Sequence, residues 1–87
     1  MRLVSINNIE KKDVPLYYRN EYSADSAFTL IGEKAVNIPI TFSIEMAPTG
    51  EKNIDIQLKQ SIDYPLVPLL RTLKEEISSM EKKGLLR

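Results

Sequence analysis

The sequence predicts an α+β fold: a four- to five-stranded antiparallel meander with one C-terminal helix packed on one face. Three observations carry this. Up to about residue 63 the apolar residues recur at every second position, the period of a strand; beyond it they recur at three and four, the period of a helix. A Pro-Thr-Gly turn joins the two clearest strands. The chain has 87 residues, the length of one domain, strand-rich over 1–62 and helical over about 64–83. Size scaling gives such a chain a folded surface of about 5,200 Å², enough for one thin two-layer core.

The clearest strand covers 36–46. Val36, Ile38, Ile40, Phe42, Ile44 and Met46 alternate with Asn37, Pro39, Thr41, Ser43 and Glu45. The run 54–62 repeats the pattern, with Gln60 out of place on its apolar side. Pro48-Thr49-Gly50 between them suits a three-residue hairpin loop, with proline at its preset φ and glycine at the left-handed position. That loop pairs Ala47 with Glu51, Ile44 with Ile54 and Phe42 with Ile56. The rival register would set Glu45 opposite Asp55, and directly opposed like charges destabilise a sheet. Pro39 cannot donate a ladder hydrogen bond, so the strand is expected to be an edge or bulged there.

Upstream, 27–31 reads as a short strand that turns at Gly32-Glu33-Lys34. Residues 14–22 read as a tyrosine-rich strand and 2–9 as a weaker one. Glu10–Asp13 and Ser23–Ser26 supply the polar turns between them. The helix is expected to start between Asp63, a suitable N-cap, and Pro68, with Pro65 and Pro68 confined to its first turn. Leu66, Leu70, Leu73, Ile77 and Met80 form its apolar stripe, widened by Leu69. Gly84 suits a Schellman C-cap in which Leu85 covers Met80, and Arg71 can pair with Glu75 one turn on.

Charge and composition narrow the function. There are 12 basic and 12 acidic side chains, and the balance holds in each half of the chain. A nucleic-acid footprint is usually a basic stripe, and none is visible in the sequence. No histidine or cysteine is present, which removes imidazole acid–base chemistry, thiol nucleophiles and zinc-thiolate sites. Carboxylate pairs are the one acid–base option left, with Glu45 and Asp55 near each other on the wet sheet face. The expectation is no enzyme, no cofactor and no metal site. The lack of cysteine favours a reducing, cytoplasmic setting. No run approaches the ~18 apolar residues of a membrane span.

The tyrosine segment is the most suggestive feature. Tyr17, Tyr18 and Tyr22, with Arg19 among them, mix aromatic faces and a guanidinium. Such residues are enriched at interface cores and can also stack single-stranded nucleic acid. The bland alternative places Tyr18 and Tyr22 in the core, with Tyr17 and Arg19 on the wet face. The helix stripe belongs on the sheet, which leaves Leu69 and Leu86 as further contact candidates. The reading is a non-enzymatic protein-interaction or assembly module whose partner is another protein or a second copy, a homodimer. The alternative is a single-stranded nucleic-acid binder built on the tyrosine/arginine strand.

Overall fold

The computed structural model describes residues 1–13, 18–30, 32, 34–62 and 64–86. Four strands, β1 (Arg2–Lys12), β2 (Arg19–Thr29), β3 (Ala35–Met46) and β4 (Lys52–Leu58), precede one helix, α1 (Leu66–Lys82). The strands form one open antiparallel sheet in the order β1-β2-β3-β4. This is the α+β meander, with four strands rather than five.

The fifth strand disappears because Ser23–Ser26 is no turn. Those residues lie in the middle of β2, paired with β3 from Ser23–Thr41 to Ser26–Ile38 without a break. Tyr22, Ala24, Ser26 and Phe28 alternate on the core face, all buried. Serine is tolerated there because its hydroxyl donates to the Ile38 carbonyl at 2.8 Å. β1 likewise runs on through Glu10 to Lys12 instead of turning. It is bulged twice, between Leu3 and Ser5 and between Asn7 and Glu10. In the second bulge Asn8 takes φ 53°, a left-handed conformation that asparagine tolerates, and its amide donates to Asp25 at 2.9 Å.

The β3–β4 hairpin has the expected register, with Ile44 opposite Ile54 and Phe42 opposite Ile56. Ala47 N–H donates to the Glu51 carbonyl, Gly50 N–H donates to the Ala47 carbonyl, and Gly50 sits at φ 89°. Pro39 sits where β3 becomes an edge. The last β3–β4 pair is Ile40–Leu58, and the Pro39 carbonyl accepts from Lys59 N–H at 2.9 Å. Odd residues of β3 bond toward β4, and even ones, as in Met46 N–H to the Tyr18 carbonyl, bond toward β2. The donor that proline lacks would therefore have pointed past the end of β4. Gln60 is explained at the same place, since its amide donates to the Asn37 carbonyl on that uncovered edge.

The helix packs beside β4 and runs back along it: Leu66 lies near Leu58, and Glu81 accepts a hydrogen bond from Lys52. Its buried stripe is Leu69, Leu73 and Ile77, all fully buried, with Leu70 on the shoulder and Leu66 half-exposed. The stripe expected from spacing is thus one position out in its first turn. Pro65 precedes the helix and Pro68 lies in its first turn, as its missing N–H requires. The expected Asp63 cap lies outside the described residues. Gly84 (φ 73°) closes a Schellman motif, with Leu85 N–H donating to the Met80 carbonyl and Gly84 N–H to that of Glu81. Leu85 itself is 62% exposed, and Leu86 is the residue that packs on the core. Among the described residues Arg71 and Glu75 form no ion pair.

The molecule measures 43 × 23 × 23 Å and exposes 6059 Å², more than size scaling gives. The cause is a length mismatch. Strands of 11–12 residues extend to about 38 Å, whereas a 17-residue helix covers about 26 Å. Ile62 and Tyr64, in the connection before the helix, pack against the core and cover part of the remainder.

Candidate protein-contact surface

The structure separates the tyrosine segment into different roles. Tyr17 lies outside the described residues. Tyr22 is 3% exposed and stacks on Phe42, its cross-strand partner, at 4.9 Å between ring centroids and 16° between planes. It belongs to the core, where the bland alternative puts it. Burial pushes the Tyr22 phenol above its ordinary value of 10.0, and the negative charge of Glu81 adds to that. Tyr18 is 48% exposed and is not core.

Arg19 points to the opposite sheet face, half-buried. Its guanidinium donates to Glu21 at 3.1 Å and to Glu45, its cross-strand partner, at 3.0 Å. The hydrogen bond to Glu21, then that to Glu45, raises its already high pKa further. A shallow cleft of about 190 Å³ beside it holds Glu21 and Asp55. Glu45 sits opposite Asn53 and Asp55 opposite Ser43, so the two carboxylates are diagonal neighbours and Glu45 is held by Arg19. Among the described residues no group of carboxylates is arranged to hold a metal ion.

Leu69 is fully buried against the sheet, so it does not serve as a contact residue at this surface. Leu86 does lie at an open site. It meets Tyr18, Asn20, Met46 and Ile44 around a cleft of about 180 Å³ at the end of the sheet where the helix finishes. Met46, 50% exposed, is the residue that sequence reasoning missed. Alternation assigns it to the core face, which is correct, but α1 ends before it can cover that position. The Lys52–Glu81 ion pair closes the rim of this cleft.

The same ion pair borders a second, larger depression of about 890 Å³ between β4 and the outer flank of α1. Lys74, Lys82 and Lys83 face it from the helix side, and Lys52 from the strand. Sequence reasoning did not find this either, because these lysines come together only when α1 is laid along β4.

With the strands and helix placed, the comparison with known families has a defined span. One family model matches residues 1–82, which takes in all four strands and the whole of α1. The chain belongs to the BB-0187 family. The span that the family shares ends just before the helix C-cap, so Gly84, Leu85 and Leu86 of this member fall outside it. No curated protein and no solved structure matches the chain. Among the described residues no helix is long and apolar enough to cross a membrane.

Proposed function

We propose that this chain is a small non-enzymatic protein-interaction module that self-associates through the end of the sheet where Tyr18, Met46 and Leu86 meet. The observation that carries it is the exposure of Tyr18 and Met46, 48% and 50%, around a concave site beside Leu86. Tyrosine and methionine are the residue types that interface cores favour. Leu85, exposed on the same C-terminal turn, extends the apolar area. A second copy is the occupant because a two-fold contact needs only one patch, used twice. The cytoplasm is the compartment this reading assumes.

The alternative, a single-stranded nucleic-acid binder, has less support. Tyr22 is buried and Arg19 already holds two carboxylates, so neither is offered to a base. Sedimentation equilibrium over a wide concentration series tests the self-association. The mass should rise from 9.9 kDa toward a dimer, and Met46→Glu should hold the monomer. A single 9.9 kDa species at every concentration contradicts the proposal.

A further inference from the structure

The depression between β4 and α1 combines an open sheet edge with concentrated positive charge. β4 ends the sheet, and among the described residues no backbone group bonds to its outer side. Ala47 N–H to the Glu51 carbonyl and Lys59 N–H to the Pro39 carbonyl set the alternation of the β3–β4 ladder. Asn53, Asp55 and Gln57 therefore face β3, and the N–H and C=O groups of Lys52, Ile54 and Ile56 face outward. An outward row of this kind is a template for another strand.

The helix flank above that edge is basic. Lys74, Ser78 and Lys82 fall four apart and share one side of α1, with Lys83 following. Among the described residues Glu75 is the one acid lining the depression, against Lys52, Lys74, Lys82 and Lys83. Glu81, on the rim, is engaged by Lys52. The geometry also has a pitch. Lys74 and Lys82 are separated by about 12 Å along the helix. In an extended peptide, side chains four residues apart on one face are separated by about 13 Å. Among the described residues no aromatic side chain lines the depression, so it offers bases no stacking platform.

We propose that this groove takes an extended acidic segment of a partner protein as a fifth strand on β4. Backbone hydrogen bonds to the edge hold the segment, and acids at positions i and i+4 meet Lys74 and Lys82. This goes beyond the self-contact at Tyr18, Met46 and Leu86 and uses other residues. Met46→Glu should leave it intact, so either proposal can fail alone.

Fluorescence anisotropy on the full chain at low salt tests it, with a labelled peptide of alternating Glu and Val and its Lys–Val counterpart. The acidic peptide should bind and the basic one should not. The double variant Lys74→Glu/Lys82→Glu, which changes two exposed residues, should weaken binding about tenfold or more. Ile54→Pro removes one outward N–H without removing a bond to β3 and should weaken it as well. A circular-dichroism melt shows whether that variant folds, and the lysine variant decides if it does not. Equal binding of both peptides, binding of neither, or affinity undiminished by the lysine reversals overturns the proposal. So does tighter binding of oligothymidylate in competition, or peptide binding lost where the protein self-associates.

Discussion

Replacing Leu69 by alanine probes how α1 is seated. Leu69 is fully buried and Leu66, one turn earlier, is 49% exposed. Removing a buried leucine side chain costs its transfer energy plus a cavity term, about 3 kcal/mol at a fully enclosed site. A chain of this length has a total stability of about 4–13 kcal/mol, so this is a large fraction. Unfolding entropy of about 0.18 kcal/mol/K for the whole chain converts the loss to about 16 °C in Tm. Leu66→Ala creates no enclosed cavity and gives up only part of a burial term, so it should cost less than about 1 kcal/mol, or about 5 °C. Circular-dichroism melts at one fixed protomer concentration measure both, since self-association would otherwise shift Tm. If Leu69→Ala melted within a few degrees of the parent, or Leu66→Ala were the costlier change, the helix would have to be rotated so that Leu66 faces the sheet.

Three further outcomes follow from single groups. Burial raises the Tyr22 phenol, so the unfolded chain loses that proton first as pH rises. Tyr22 therefore contributes stability that is fully present below its ordinary value of 10.0 and is lost as pH climbs through the raised folded value. Urea midpoints from pH 9 to 11 should fall more steeply for the parent than for Tyr22→Phe, and equal slopes would count against the assignment. Ser26→Ala removes the hydroxyl that donates to Ile38 inside the core and should cost about 1 kcal/mol by urea denaturation. Gly50→Ala meets no atom within 4 Å, yet at φ 89° it should cost about 1–2 kcal/mol from backbone strain alone, also read from urea midpoints.

Much of the fold is legible in the sequence where two local signals agree. Pro48-Thr49-Gly50 names a loop type, and the clash of Glu45 with Asp55 in the rival register names the pairing; the structure has that pairing. Gly84 announces the Schellman cap, and the two hydrogen bonds are present. Legibility fails where a local signal is overridden by neighbours. Ser23-Ala24-Asp25-Ser26 uses turn residues, but β1 and β3 supply ladder partners on both sides and the Ser26 hydroxyl finds a carbonyl. Spacing alone misphases the helix stripe because Leu66 and Leu69 both fit three-and-four spacing with Leu73. The choice between them is made by where β4 ends, which periodicity does not record.

The candidate surface divides along the same line. Tyr18 and Leu86 can be picked out by residue type, whereas Leu69, chosen the same way, belongs to the core. Met46 looks like any other core-face strand residue until the length of α1 is known. The basic groove is harder still to read. A neutral net charge hides it, because the acids lie mostly elsewhere and the lysines are distant in sequence.

The most direct test of the contact surface is a dilution series of ¹⁵N–¹H correlation spectra on the full chain. Self-association through the helix-end cleft predicts concentration-dependent shifts at Tyr18, Met46, Leu85 and Leu86, with β1 unchanged. Shifts confined to β1 or the β2–β3 turn, or spectra identical at every concentration, would contradict it.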